Sequence, residues 1–405
     1  MNDHPNIFAA LPAMNESENL PGFLDSIRRQ IYPAKKLVVC VNQPDEWWYR
    51  PDKLEICIDN QKSIDILSSA GDVELELIDK SSKGSGWTGK KYGVGLARKK
   101  IMDSISNQAD KNDIIISLDA DTAINPGYFQ SIVESFSSHP DAVAFAVPYY
   151  HHLTDDWVKN RAILRYEMYM RYYAINLWRI ENPYSFTAIG SAIALPVWAY
   201  RSIGGMTPHK SGEDFYFLQK LRKFGKVYTR NREKVYPAAR YSDRVGFGTG
   251  PAMIKGSRGD WSSYPIYPYG YFDMVKETYD LFETLFEKNV DTPMDEFNKD
   301  KFGDENIWQA LRENYKSREN FVKACGHKID AFRIIQFLKW KHKNSVHSDE
   351  KNLIEFMHHF YPEKWQEMAM DLSELSFEKS PVEELDNLRN TLVQIEENYQ
   401  RNNEI

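Results

Sequence analysis

Asp113-Ile114-Ile115-Ile116-Ser117-Leu118-Asp119-Ala120-Asp121 is the stretch on which the reading of this chain turns. A short apolar run bounded by polar residues reads as a buried strand, and Asp119 and Asp121 then stand at its carboxyl end. In an open α/β sheet, ligands bind outside the carboxyl ends of the strands. Two carboxylates one residue apart on a tight turn suit one hard divalent cation and leave positions for phosphate oxygens. The expectation is a metal-dependent enzyme acting on a diphosphate, against the plainer reading of a solvated acidic turn.

Outward from this run, strand and helix patterns alternate. Strands are expected at Ile7–Leu11, Leu37–Val41, Val73–Leu77 and Ala142–Val147. Between them Leu20, Phe23, Leu24, Ile27 and Ile31 recur at helical spacing, as do Val94, Ala97, Ile101 and Ile105. A helix behind Pro126 carries Phe129, Ile132, Val133 and Phe136. Such alternation implies a mainly parallel sheet covered by helices on both faces. A long helix over Asp155–Ile180 interleaves Arg161, Arg165, Arg171 and Arg179 with aromatics, and its arginines are expected to snorkel to solvent. A second α/β stretch begins at Phe186, and beyond Tyr271 only helical patterns remain. The expected division is 1–265, an α/β domain, and 266–405, a helical C-terminal domain.

A length of 405 residues fits two domains, and 42% hydrophobic content with 14% aromatics is ample for real cores. A net charge of −7 argues against nucleic acid as the main partner. The cysteines Cys40, Cys57 and Cys325 are odd in number and lack metal-ligand spacing, which suits a reducing cytoplasm. No apolar stretch approaches the roughly 20 residues needed to span a bilayer, and the start lacks a signal-peptide layout. A soluble, cytoplasmic protein is expected, with contact at the inner face of a membrane and homo-oligomer assembly open to the helical domain.

Two phosphate-site readings compete. Gly84-Ser85-Gly86-Trp87-Thr88-Gly89-Lys90 matches the first seven places of a P-loop, which would make the chain a nucleotide-dependent kinase or NTPase with Asp119 as its acid. The next residue is Lys91, however, so the hydroxyl that should ligate magnesium is missing, and Asp121, Glu213 and Asp214 are left without roles.

The second reading accounts for more of the chain. Ala10-Leu11-Pro12-Ala13-Met14-Asn15-Glu16, Gly86-Trp87-Thr88-Gly89-Lys90-Lys91, Asp119-Ala120-Asp121, Ala188–Leu195 with Gly204-Gly205, and Gly212-Glu213-Asp214 follow one another in order. Over about residues 5–250 this set resembles family 2 glycosyltransferases of the GT-A fold. The resemblance implies transfer of a sugar from a nucleotide-diphosphate donor, a UDP-sugar first and a GDP-sugar second, to a glycan, lipid-linked or small-molecule hydroxyl, as in polysaccharide biosynthesis. It implies a manganese or magnesium ion on Asp119 and Asp121, with Asp121 the more direct ligand. Nucleotide-sugar binding falls by resemblance to Pro12, Asn15, Glu16, the end of the second strand, Lys90 and Asp119.

Asp214 is the candidate general base, because an acceptor hydroxyl is too weak an acid to ionise unaided. At a helix start the dipole is expected to keep its carboxylate ionised, while Glu213 orients the acceptor or the loop. One displacement with base assistance implies inversion at the anomeric carbon. The chain departs from the family where an acid usually ends the second strand, having Val41-Asn42-Gln43 instead; Asn42 can donate and accept hydrogen bonds, and Asp79 might substitute. Arg240 and Arg244, ahead of Gly246, Gly248 and Gly250, read as a mobile loop whose guanidinium forks cover a donor diphosphate. The aromatics from Trp261 to Tyr271 suit stacking on an acceptor sugar or a rigid Pro-Tyr linker. His151, His152 and His209 are candidate third metal ligands. A non-catalytic sugar-nucleotide binding protein is the remaining alternative.

Overall fold

The computed structural model describes residues 4–89, 92–243, 246, 248–304, 307–343, 348–368 and 375–402. Lys90 and Arg244, both expected at the donor site, lie outside the described residues. The chain divides into two compact units: residues 1–163 with 186–257, and residues 164–185 with 258–405.

The first unit is built on β1 (Ile7–Ala13), β2 (Lys35–Asn42), β3 (Leu75–Lys80), β4 (Ile114–Ser117), β5 (Thr122–Ile124), β6 (Ala142–Ala146), β7 (Ile193–Pro196), β8 (Lys226–Tyr228) and β9 (Val235–Pro237). Among the described residues the main sheet has seven strands in the order β3-β2-β1-β4-β7-β6-β8. β1 to β4 are mutually parallel, β7 runs antiparallel to β4 and β6, and β6 and β8 are parallel. The helices are α1 (Leu20–Arg28), α2 (Leu54–Ser68), α3 (Val94–Gln108), α4 (Tyr128–Ser138), α5 (Trp157–Arg179), α6 (Val197–Ser202), α7 (Glu213–Phe224) and α8 (Thr249–Gly256). This is the expected mainly parallel sheet flanked by helices.

The order places a topological switch point between β1 and β4, since β2 and β3 continue to one side of β1 and β4 begins the other. Ligand crevices open at such points because the connections leave in opposite directions. The ladder between β1 and β4 ends at Ala10 opposite Ser117, whereas β1 stays paired with β2 through Ala13. Pro12, which cannot donate to a ladder, falls in the end of β1 that has no ladder on the β4 side. Ile114, Ile115 and Ile116 are at most 2% exposed, so the strand carrying the two acids is fixed by its core; each such side chain stabilises by about 1.5–3 kcal/mol on burial.

The short strands β5 and β9 pair antiparallel, Thr122 opposite Pro237 and Ile124 opposite Val235. Neither was expected from the sequence, nor was α2, which carries a weak apolar period. The loop-rich reading of residues 235–270 holds apart from β9, α8 and the start of the helix Tyr269–Asp280.

The second unit is helical from Tyr269–Asp280 through Val382–Asn402 and includes α5 from Leu164 onward. Here the snorkelling expectation fails for two arginines. Arg165 and Arg171 are 1% and 3% exposed. Arg165 pairs with Asp349, and Arg171 pairs with Glu167 and Glu396. Arg389, also enclosed, reaches the same Glu167 at 3.2 Å. Charged groups withdrawn from water must be paired, and these are. Nor do the aromatics of residues 261–271 all form an open face: Tyr267 is buried, and the Tyr264 ring packs against Tyr166 and Tyr169 with centroids 4.7 and 5.4 Å away. No described helix is long and apolar enough to cross a membrane.

Candidate active site

The turn after β1 carries Asn15 and Glu16 into the crevice. Asn15 adopts a left-handed φ of 58°, a conformation asparagine tolerates better than most residues. Its N–H donates to Asn60 Oδ1 on α2 at 2.8 Å. Glu16 is 4% exposed. After β4 the chain turns through Asp119 and Asp121, with the Thr122 N–H donating to the Asp119 carbonyl.

The β5–β9 pair brings a distant loop to this turn. Ala238 N–H donates to the Asp121 carbonyl at 3.1 Å, which sets Arg240 against the acids. Its Nη2 and Nη1 donate to the two Glu16 oxygens at 2.5 and 3.1 Å, while its Nε pairs with Asp121 Oδ2. Burial alone would lower the Arg240 pKa, but Glu16, Asp121 and Asp119 reverse that and raise it.

A second arginine, Arg98 on α3, organises the other side. It is 2% exposed. Its Nη1 donates to the Gly190 carbonyl at 2.8 Å and to Ser117 Oγ, and its Nη2 donates to Asp119 Oδ1 at 2.9 Å. Arg98 Nε lies 3.4 Å from Glu213 Oε1 without a hydrogen bond between them, so that contact is ionic only. Gly190 leaves room for this arrangement: a Cβ there would stand 2.5 Å from Arg98 Nη2 and push the guanidinium aside. Gly95 has a similar steric role, since its Cβ would meet the His209 carbonyl at 2.3 Å. That close approach seats the loop before α7 against α3.

Gly212 caps α7 with φ 69°, and Glu213 and Asp214 form its first turn. Phe215 N–H donates to Asp214 Oδ1 at 2.8 Å. Burial, with the adjacent Glu213 carboxylate as the next cause, pushes the Asp214 carboxyl up to about 7. Burial likewise raises Glu213, against the opposing pull of Arg98. The expectation that the helix dipole keeps Asp214 ionised is therefore corrected: loss of hydration and a neighbouring like charge outweigh it. Asp214 keeps a partial opening to solvent.

The remaining expected residues are placed as follows. Asn42 is 3% exposed, and its amide donates to the Ala13 carbonyl at 3.0 Å and accepts from Trp87 Nε1 at 3.1 Å. Those bonds tie β2 to its neighbours and take one donor and one acceptor of the amide. Asp79 caps the turn after β3, its Oδ1 accepting from the Ser81 and Ser82 N–H groups. The P-loop-like stretch is closed by the protein itself: Asp45 Oδ1 accepts from Gly84 N–H at 2.6 Å and Gly86 N–H at 3.4 Å. A Cβ on Gly86 would meet the Asp45 backbone at 2.7 Å. A P-loop needs such amides for phosphate, and here a carboxylate holds them. His151 is buried, His152 stacks on Tyr236, and His209 stacks on Tyr216.

Asp119 and Asp121 offer hard oxygen donors, although Arg98 and Arg240 each engage one of their oxygens. Among the described residues no group of three or more His, Cys, Asp or Glu side chains is arranged to hold a metal ion. The donor set fits a cation of the magnesium or manganese type that takes one or two carboxylates and completes its shell with substrate phosphates and water.

Sequence reading missed Arg98, Ser117 and the steric role of Gly190. The signal was present, since Arg98 interrupts the stripe Val94, Ala97, Ile101 and Ile105, where a charge must find buried partners.

No protein-family model matches the chain, and no curated protein is significantly similar to it in sequence. Among solved structures, S. aureus TarS residues 1–349 in complex with UDP-GlcNAc is 12% identical, with TM-score 0.41, covering 98% of this chain and 92% of that one. The mannosyltransferase PcManGT from Pyrobaculum calidifontis, in complex with GDP-Man and Mn2+, is 14% identical with TM-score 0.35, covering 97% and 88%. GalNAc-T7 with UDP, GalNAc and Mn2+ is 12% identical with TM-score 0.40, covering 81% and 58%. All three neighbours were solved with a nucleotide or a nucleotide sugar, and one of them is a mannosyltransferase.

Proposed function

We propose that this chain is an inverting glycosyltransferase that moves a sugar from a nucleotide-diphosphate donor to an acceptor hydroxyl, using the crevice at the carboxyl ends of β1 and β4. The observation that carries this reading is the convergence on Arg98 of Asp119, from the turn after β4, and Glu213, from the first turn of α7 beside Asp214. Arg98 thereby ties a diphosphate-side acid to the helix turn that carries the candidate base Asp214, which serves the positioning that group transfer requires.

Arg240 is suited to take phosphate oxygens with its fork, and its ion pair with Glu16 holds it beside the turn after β1. When bound, a divalent cation on Asp121, supported by Asp119 and the donor phosphates, would supply charge neutralisation for the departing diphosphate. Asp214 takes the acceptor proton as the hydroxyl oxygen attacks the anomeric carbon and the bond to the diphosphate breaks. A carboxyl with its pKa near neutrality is well matched to that task, being both substantially ionised and a stronger base than an ordinary aspartate.

The sign of the pH dependence follows. The active form is the carboxylate, and its raised pKa means that the form is lost at higher pH than usual. The ratio kcat/KM is expected to hold above about 7 and to fall about tenfold per pH unit below it. A profile flat down to pH 5 would remove Asp214 from the base role. The reading as a whole is tested by release of free nucleoside diphosphate from a panel of UDP- and GDP-sugars with manganese and candidate acceptors. Phosphorylated product from ATP, with no release from any nucleotide sugar, would overturn it.

A further inference from the structure

We propose that Arg240 is an internal cation that holds Asp121 in the donor-free protein and controls entry of a divalent metal to the Asp119–Asp121 turn. The inference rests on the donor-site reading above and concerns how that site is regulated. All three guanidinium nitrogens of Arg240 face carboxylates, two toward Glu16 and one toward Asp121. The guanidinium is thus a cation already seated where a metal would draw on the same Asp121 side chain.

The two arginines at the site differ in their freedom. Arg98 leaves a regular helix, is 2% exposed and is fixed by a backbone carbonyl as well as by acids. Arg240 lies beyond the end of β9 in a segment without regular structure, and its side chain is 31% exposed. Arg240 can therefore change partners without disturbing the core. A divalent ion entering beside it meets like-charge repulsion and a competitor for Asp121.

A donor diphosphate changes both terms together. Its oxygens offer the fork new acceptors, which draws the guanidinium from Asp121, and they add the ligands a carboxylate pair lacks. Metal and nucleotide then assist each other's binding, and the assistance is reciprocal by linkage.

The test is a Mn2+ titration of the full-length protein, read from the paramagnetic resonance signal of free aqueous Mn2+, with and without UDP or GDP. Wild type is expected to bind Mn2+ at least about tenfold more tightly with the nucleotide that fits the site than without it. Arg240→Ala is expected to tighten nucleotide-free Mn2+ binding by at least about tenfold, and Arg240→Lys, which keeps the charge, to stay near wild type. Adding Asp121→Asn to Arg240→Ala should abolish the gain. Nucleotide-free Mn2+ affinity in Arg240→Ala no higher than in wild type would overturn the inference, with nucleotide-dependent Mn2+ binding by wild type leaving the donor-site reading intact. Equal Mn2+ affinity of wild type with and without nucleotide would overturn it without recourse to any variant. A wild type that binds Mn2+ with neither nucleotide would overturn both.

Discussion

Asp214→Asn is expected to keep nucleotide-sugar affinity within about twofold of wild type while lowering turnover by about 1,000-fold. Asparagine matches aspartate in shape and can still accept from the Phe215 N–H that now donates to Asp214 Oδ1. It cannot take a proton. The substitution also removes the repulsion from Glu213 that, after burial, raises Asp214, so the fold should not suffer. Steady-state kinetics beside calorimetric donor binding separates the two effects. Undiminished turnover would rule out Asp214 as the base, and a loss of donor affinity equal to the loss of rate would move it to the binding surface.

Arg98→Met carries the second large effect, this time on stability. Removal of the guanidinium leaves Asp119 and Glu213 without their shared counter-charge and strips donors from Ser117 Oγ and the Gly190 carbonyl. Breaking a buried ion pair by deleting one partner costs about 3–5 kcal/mol, which a shift in the denaturation midpoint would register. Arg98→Lys should recover only part of this, because an ammonium cannot reproduce a planar fork. Gly190→Ala approaches the same cluster from the backbone side and should cost about 1–3 kcal/mol through crowding. A change below about 1 kcal/mol in Arg98→Met would show that the cluster does not depend on its arginine.

Much of the first unit was legible in the sequence because its central strands are nearly continuous apolar runs. Ile114–Ile116 and Leu37–Val41 can be little else than buried strands, and each ends in polar residues at the crevice. The elements that escaped are those whose existence depends on tertiary partners. β5 and β9, three residues each, form only because they face one another across the fold. α2 has a poorly segregated apolar face.

The site was legible in its carboxylates and in Arg240 as a donor-side residue, and illegible in Arg98 and in the partners that the arginines take. Asp119, Asp121 and Asp214 sit at element ends that local pattern can locate. Arg98 and Arg240 matter through partners far along the chain, including Gly190 and Glu16, and no local signal states those pairings. The same limit hides the internal hydrogen bonds that Asn42 and Asp79 make. It also explains Gly84 and Gly86, whose amides Asp45 occupies. The dipole argument for Asp214 erred differently, by weighing helix geometry without burial.

Calorimetric titration of wild type and Asp121→Ala with UDP- and GDP-sugars in the presence of manganese, and with magnesium ATP, tests most directly whether the β1–β4 crevice is a nucleotide-sugar site. Saturable binding of at least one nucleotide sugar by wild type, weakened at least about tenfold in Asp121→Ala, is the predicted result. Binding of ATP that survives Asp121→Ala, with every nucleotide sugar failing to bind, would contradict it.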